Sequence, residues 1–472
     1  MAAAIGSTPP TAGYATHIES LDSAAHVVEK GAGFVHSRLL RSYTYDKISR
    51  TLGECKWYLK RIRAEKKRLH SFRLVYGTGA SGFVDFCDPT AKKTTKTLSQ
   101  LYSVEAGISR MQQMLTIAKL IRKHHKFYIA EELFTFPELH QKFVWEGLIS
   151  GTHISRGGFG EVCDVFSDKL SLVVKKALQK NKGVSLSESK HYQMISTMVN
   201  EIAILLFLET KKKDFIRPVG VACTLKEGRL TSLSLYLEKG QCSLLSIIQT
   251  GSYTDVNVRA WMYDILQQFH DIHTVLVPAK DGPARLGLVH GDAKLDNLVV
   301  MHDGRVRLVD FGNTAPVGSK RNPGTTLTDP PEYLWNKIKK LDPSQDIWSI
   351  GCILYSMLTK KHLMTKSEIF EGKILDQAFI DEKITLVIKR SPSPLFKKLG
   401  IMAQQCLRVS PEERPTTKAL LENKLFSRFT KTSAPEMSPH APDHSPDPAP
   451  DGGGAAASAA ASSAGAAHQA DA

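Results

Sequence analysis

The chain has 472 residues, 42% hydrophobic and 23% charged, proportions that exclude a collagen-like or wholly disordered protein. No apolar run approaches the roughly 20 residues that a bilayer crossing needs. Residues 1–7 lack a basic stretch followed by an apolar one, so no secretory signal is expected. Seven scattered cysteines, with no C-x-x-C pair and distant His partners, argue against structural zinc and a disulfide framework. The expected location is therefore reducing and cytoplasmic.

In chain order, residues 1–30 are rich in Ala, Ser, Thr and Gly and read as a disordered tail. Residues 31–146 read as a basic, mainly helical module. Between 31 and 126 there are 20 Lys and Arg against 6 Asp and Glu, nearly the whole formal net charge of +15. Tyr45, Ile48, Leu52, Leu59 and Ile62 recur on one helical face, as do Leu101, Ile108, Met111, Leu115, Ala118 and Ile121. Two readings of the charge stay open: a solvated helical face, or a surface for an acidic partner, whether protein, nucleic acid or anionic membrane. Residues 432–472, Pro/Asp-rich and then Ala/Ser/Gly-rich, read as a second tail.

The middle of the chain carries chemistry. Ile154-Ser155-Arg156-Gly157-Gly158-Phe159-Gly160-Glu161-Val162 is a glycine-rich turn between strand-like runs. Glycines there let backbone N–H groups approach an anion, although a plain hairpin uses glycines too. Lys175 follows in the apolar run Leu172-Val173-Val174-Lys175-Lys176, where a buried lysine would need an anionic partner. Further on, His290-Gly291-Asp292-Ala293-Lys294-Leu295-Asp296-Asn297 precedes Asp310-Phe311-Gly312. A carboxylate to orient a hydroxyl, a cation for a moving phosphoryl group and two oxygen ligands for Mg²⁺ are what phosphoryl transfer requires.

In order and spacing, residues 148–428 resemble a eukaryotic-type protein kinase domain. The resemblance implies an α+β, two-lobed fold. Its N-lobe, residues 148–240, would be a five-stranded antiparallel sheet plus one helix; its C-lobe, residues 241–428, would be mainly helical. The first glycine of the family's loop is here Ser155. Lys175 fills the place of the nucleotide lysine, and its helix glutamate is Glu201, with Glu188 as the other candidate. The long separation of Lys175 and Glu201 implies an inserted loop at 180–189. Residues 324–332 resemble the end of an activation segment, and residues 346–351 the helix motif whose aspartate braces the catalytic loop. Arg414 stands where the family's buried arginine pairs with a glutamate, here Glu332.

The resemblance implies the remaining roles. Asp292 would be the catalytic base and Lys294 would stabilise charge on the transferred group. Asn297 and Asp310 would hold Mg²⁺. Ile154, Gly157, Gly158, Gly160 and Val162 would cover ATP, with Lys175 and Glu201 holding its phosphates and adenine near residues 235–239. Lys294 and Thr325 imply Ser/Thr acceptors on protein substrates. Two alternatives share parts of the pattern: a small-molecule phosphotransferase of the aminoglycoside or choline kinase type, and a pseudokinase scaffold. Gly291 replaces the arginine that often anchors a phosphorylated activation loop. Activity without phosphorylation of Thr314 or Ser319 is therefore expected.

Overall fold

The computed structural model describes residues 11–39, 45–76, 89–124, 149–156, 160–166, 173–178, 188–211, 214–226, 229–277, 285–320, 324–335, 340–391 and 393–429. Three long helices come first: α1 (Thr11–Leu39), α2 (Tyr45–Tyr76) and α3 (Pro89–His124). They pack on one another. Leu59, Ile62 and Leu69 of α2, and Leu101, Ile108, Met111 and Leu115 of α3, are buried at helical spacing. The side chains of Tyr45, Ile48 and Ile121 lie outside the described set.

Helix α1 covers residues 11–30 of the stretch that reads as a disordered tail by composition. Leu21, Ala24, Val27 and Phe34 are buried along one face of that helix. Small residues make this packing close. A Cβ on Gly31 would stand 2.6 Å from Val104 Cγ1 of α3. Burial here comes from near approach of backbones, which a count of large apolar residues does not register. The tail expected at 432–472 lies outside the described residues.

Five antiparallel strands follow in the order β1-β2-β3-β5-β4. They are β1 (Ile149–Arg156), β2 (Gly160–Phe166), β3 (Val173–Leu178), β4 (Pro218–Lys226) and β5 (Arg229–Glu238). Helix α4 (Glu188–Thr210) packs against β3, β4 and β5. A second face of α3 lies on α4 and β4, and Met114 and Ile117 share one core with Met194, Met198 and Ile202. At this seam the Cys223 thiol of β4 meets the Gln113 carbonyl of α3 at 3.9 Å. Burial pushes that thiol up to about 12, so it stays protonated.

The rest is mainly helical: α5 (Leu244–Thr250), α6 (Asp255–Thr274), α7 (Pro331–Leu334), α8 (Pro343–Thr359), α9 (Lys366–Phe370), α10 (Gln377–Arg390), α11 (Pro394–Cys406) and α12 (Thr417–Leu421). Every residue from Gln345 to Met357 of α8 is buried, which makes it the central post. Short strands lie between these helices: β6 (Cys242–Ser243), β7 (Leu276–Val277), β8 (Arg285–Leu286), β9 (Leu288–Val289), β10 (Leu298–Val300), β11 (Val306–Leu308) and β12 (Ala315–Pro316). β10 pairs with β6 and β11, and β9 with β12. No helix among the described residues is long and apolar enough to cross a membrane. The six described cysteines are free thiols.

Candidate active site

Three side chains converge on Asp292, in the loop between β9 and β10. Thr325 Oγ1 donates to Asp292 Oδ1 at 2.7 Å. Lys294 Nζ donates to Asp292 Oδ2 at 3.1 Å and to Thr325 Oγ1 at 2.8 Å. Asn297 Nδ2 donates to the Asp292 backbone carbonyl at 2.9 Å. Residues 31 and 33 positions apart in the chain thus close a triangle around Asp292. Its side chain remains 12% exposed, enough to receive a small group from solvent.

The triangle is braced from below by α8. Buried Asp346 accepts from the backbone N–H groups of His290 (2.8 Å) and Gly291 (3.0 Å), and it pairs with His273 Nε2 at 2.9 Å. Burial opposes its charge. The His273 hydrogen bond, the two nearby imidazoles and the Gly291 amide outweigh that opposition and hold the carboxyl below the usual carboxylate range. The ionised form is therefore the one that folding favours. Its stabilisation is complete above the unfolded-state value of about 3.9 and is lost as pH falls through the lower folded value. Asp346→Asn, which cannot titrate, is expected to be less stable at pH 7 and to show a flatter loss of stability below about pH 4. Urea denaturation across that range measures it, and a slope equal to that of the wild type would remove Asp346 from the brace.

His290 joins the loop to the next strand. Its Nδ1 accepts from the Asp292 amide (3.3 Å), while Nε2 faces the Val309 carbonyl (3.3 Å), which fixes the tautomer. The Val309 N–H donates to the Asn297 carbonyl at 2.9 Å, bringing Asp310 beside Asn297. Asp310 has φ 66° and ψ 63°, a left-handed turn that few non-glycine residues adopt. Phe311 is fully buried against His290 and Phe215.

Sequence reasoning missed Asn200. This α4 side chain donates to the carbonyls of Phe311 (3.2 Å), Gly312 (2.8 Å) and Thr314 (2.9 Å). The close approach also explains Gly312, where a Cβ would lie 2.6 Å from Thr197 Cγ2 of α4. The available signal was a lone amide in the apolar run Met198-Val199-Asn200-Glu201-Ile202. Gln268 of α6 was missed as well. It pins β11 through the Val306 carbonyl (2.7 Å) and the Leu308 N–H (2.8 Å).

Beyond Gly312 the chain is held by backbone. β12 pairs with β9, Gly318 N–H donates to the Leu341 carbonyl, and Leu341 N–H donates to the Ser319 carbonyl, both at 2.8 Å. Thr314 is fully buried, and its hydroxyl has no hydrogen-bond partner among the described residues. At the far end, Arg414 grips Glu332 with two bonds of 2.8 Å.

On the sheet, β1 and β2 form the hairpin Ser155↔Val162 and Arg156↔Glu161 around the glycine-rich turn. Gly157 and Gly158 lie outside the described residues, Ile154 is exposed, Val162 is half-buried and Gly160 opens β2. Lys175 sits opposite Cys163 and Tyr236 in the central strand, and its side chain is not among those described. Glu201 is buried on α4; Glu188 begins that helix, with its side chain outside the described set. Residues 180–187 of the expected insert are likewise outside it.

The donor set suits a small hard cation. With Nδ2 of Asn297 committed to the Asp292 carbonyl, its remaining side-chain polar atom is an oxygen, Asp310 offers carboxylate oxygens, and Mg²⁺ takes oxygen ligands.

Comparison with known proteins matches residues 148–426 to the family described as "Protein kinase domain". Among similar proteins, human "Hormonally up-regulated neu tumor-associated kinase" is 31% identical over 156 residues, covering 32% of this chain and 21% of that protein. "Probable serine/threonine-protein kinase mps1" of Dictyostelium discoideum is 28% identical over 287 residues, covering 57% and 26%. "Mitogen-activated protein kinase kinase kinase 1" of Arabidopsis thaliana is 28% identical over 285 residues, covering 59% and 42%. The chain thus spans between about a fifth and two fifths of the length of these relatives.

Proposed function

The chain belongs to the protein kinase family, and on that premise we propose that it transfers the terminal phosphoryl group of ATP to Ser or Thr hydroxyls of protein substrates. The observation that carries this reading is the triangle of Asp292, Lys294 and Thr325. Asp292 accepts and orients the substrate hydroxyl. Lys294, already within reach of that carboxylate, offers positive charge to the group being transferred. Thr325 fixes the carboxylate from the activation segment, so the acceptor peptide and the base share one support. Serine/threonine-protein kinases among the similar proteins support the acceptor class.

Asn297 and Asp310 would hold Mg²⁺, which supplies charge neutralisation between the β- and γ-phosphates when bound. Lys175, fixed by Glu201, would hold the α- and β-phosphates, and Ile154, Gly157, Gly158, Gly160 and Val162 would cover the nucleotide. Residues 148–428 form the catalytic domain in this reading. The basic module before it meets an acidic partner.

The test is transfer of labelled phosphate from Mg-ATP to a generic basic protein, followed by phosphoamino-acid analysis. Asp310→Ala serves as the baseline, and choline and an aminoglycoside serve as rival acceptors. Label on Ser and Thr is expected. Transfer no higher than the baseline would leave a scaffold, and label on the small acceptors alone would leave a small-molecule phosphotransferase.

The same reading carries an expectation about control. Gly291 offers no anchoring side chain, Thr314 is sealed, and the segment is tied by the Gly318–Leu341 and Leu341–Ser319 bonds instead. Phosphatase-treated protein and a Thr314→Val, Ser319→Ala double variant should stay within about tenfold of untreated activity, equivalent to 1.4 kcal/mol of barrier. A larger loss in both would show that a phosphate is required.

A further inference from the structure

We propose that the outward face of α2 is a docking surface for an anionic lipid bilayer. This deepens, and rests on, the reading that the basic module meets an acidic partner. Lys56, Lys60, Arg61 and Lys67 of α2 are exposed, while Cys55, Leu59, Ile62 and Leu69 are buried; Arg63 is exposed too but reaches Glu105 of α3. From Lys56 to Lys67 the row runs roughly 16 Å along a single straight helix. Lys56, Lys60 and Arg61 make no ion pair among the described residues, whereas Arg63 shares Glu105 with Lys66. The charge of those three is therefore not neutralised by described residues of the module.

Trp57 stands inside this row and is 54% exposed, with the Arg61 guanidinium 5.3 Å from its ring centre. An exposed indole costs free energy in water and gains it at the headgroup level of a bilayer, where Trp is enriched. The apolar face of α2 is already spent inside the bundle on Cys55, Leu59, Ile62 and Leu69. The helix therefore has no second apolar stripe to insert, and attachment would be peripheral: a row of cations on acidic headgroups with one aromatic anchor.

Nucleic acid fits this face less well. Lys and Arg also meet DNA phosphates and guanine edges, but duplex DNA, with its bases stacked and paired, has no apolar layer to take up the exposed Trp57 indole.

The experiment uses the full chain and sedimentation with two kinds of vesicle, phosphatidylcholine alone and phosphatidylcholine with about 30% phosphatidylserine. Binding to the anionic vesicles only is expected at about 0.1 M salt, fading as salt rises. Lys56→Gln, Lys60→Gln, Arg61→Gln together should weaken it roughly a hundredfold, at about one headgroup interaction per charge. Trp57→Ala should weaken it separately, through the lost anchor. All these positions are exposed, so thermal melting of the variants should match the wild type, as should phosphate transfer in solution. Equal binding to both vesicles, or undiminished binding by the triple variant, would overturn the proposal. Binding to duplex DNA without binding to vesicles would overturn it while keeping an acidic partner; binding to neither would remove the bilayer. Loss of phosphate transfer in the wild type would count against the kinase reading alone.

Discussion

Asp292→Asn is expected to transfer phosphate between about a hundred and ten thousand times more slowly than the wild type, the range that a positioned proton acceptor contributes. The substitution keeps the shape of the side chain and the backbone carbonyl that Asn297 uses. It removes the negative charge and puts an amide N–H₂ where a carboxylate oxygen accepts from Thr325 or from Lys294. Thr325 can rotate its hydroxyl to accept instead, so the fold should tolerate the change. Melting temperature should move little while turnover collapses. Single-turnover transfer at saturating Mg-ATP makes the measurement. A rate within tenfold of the wild type would take the base assignment away from Asp292.

The largest loss of stability is expected for Arg414→Leu, about 3–5 kcal/mol, the range for breaking a buried charge pair by removing one partner. The Arg414 side chain is fully buried and Glu332 nearly so. Besides the two bonds to Glu332, the guanidinium donates to the carbonyls of Arg408 (2.8 Å), Ser344 (3.0 Å) and Val409 (3.1 Å). All five of its N–H donors are used. It also lies 5.2 Å from the Trp348 ring centre. Leucine would strand a carboxylate and three carbonyls at once. Arg414→Lys should also be costly, because an ammonium has three donors and no planar fork. Chemical denaturation of purified protein reads the difference. A cost under about 1 kcal/mol would place this pair with ordinary surface bridges.

The catalytic loop was legible in the sequence because its chemistry is local. Asp292, Lys294 and Asn297 fall within six residues, and Asp310 follows across one short hairpin. Asp346, Glu332 and Arg414 were legible through motifs, although only the fold gives them contact. Two kinds of information were not. The first is packing through small residues: Gly31 lets α1 approach α3, and Ala24 is buried although it lies in a stretch that reads as tail by composition. The second is a tertiary hydrogen bond from an unremarkable residue. Nothing local to Asn200 says that its amide will meet carbonyls more than 110 positions away.

That amide has a mechanical consequence. Glu201 and Asn200 are neighbours on α4, and Asn200 holds the turn that follows Asp310. If α4 rotates, the turn after Asp310 moves with it, so in the proposed reading Glu201 and the metal-holding residues would shift together. With α3 packed on the same helix, displacement of the three-helix module would reach the turn after Asp310 through α4.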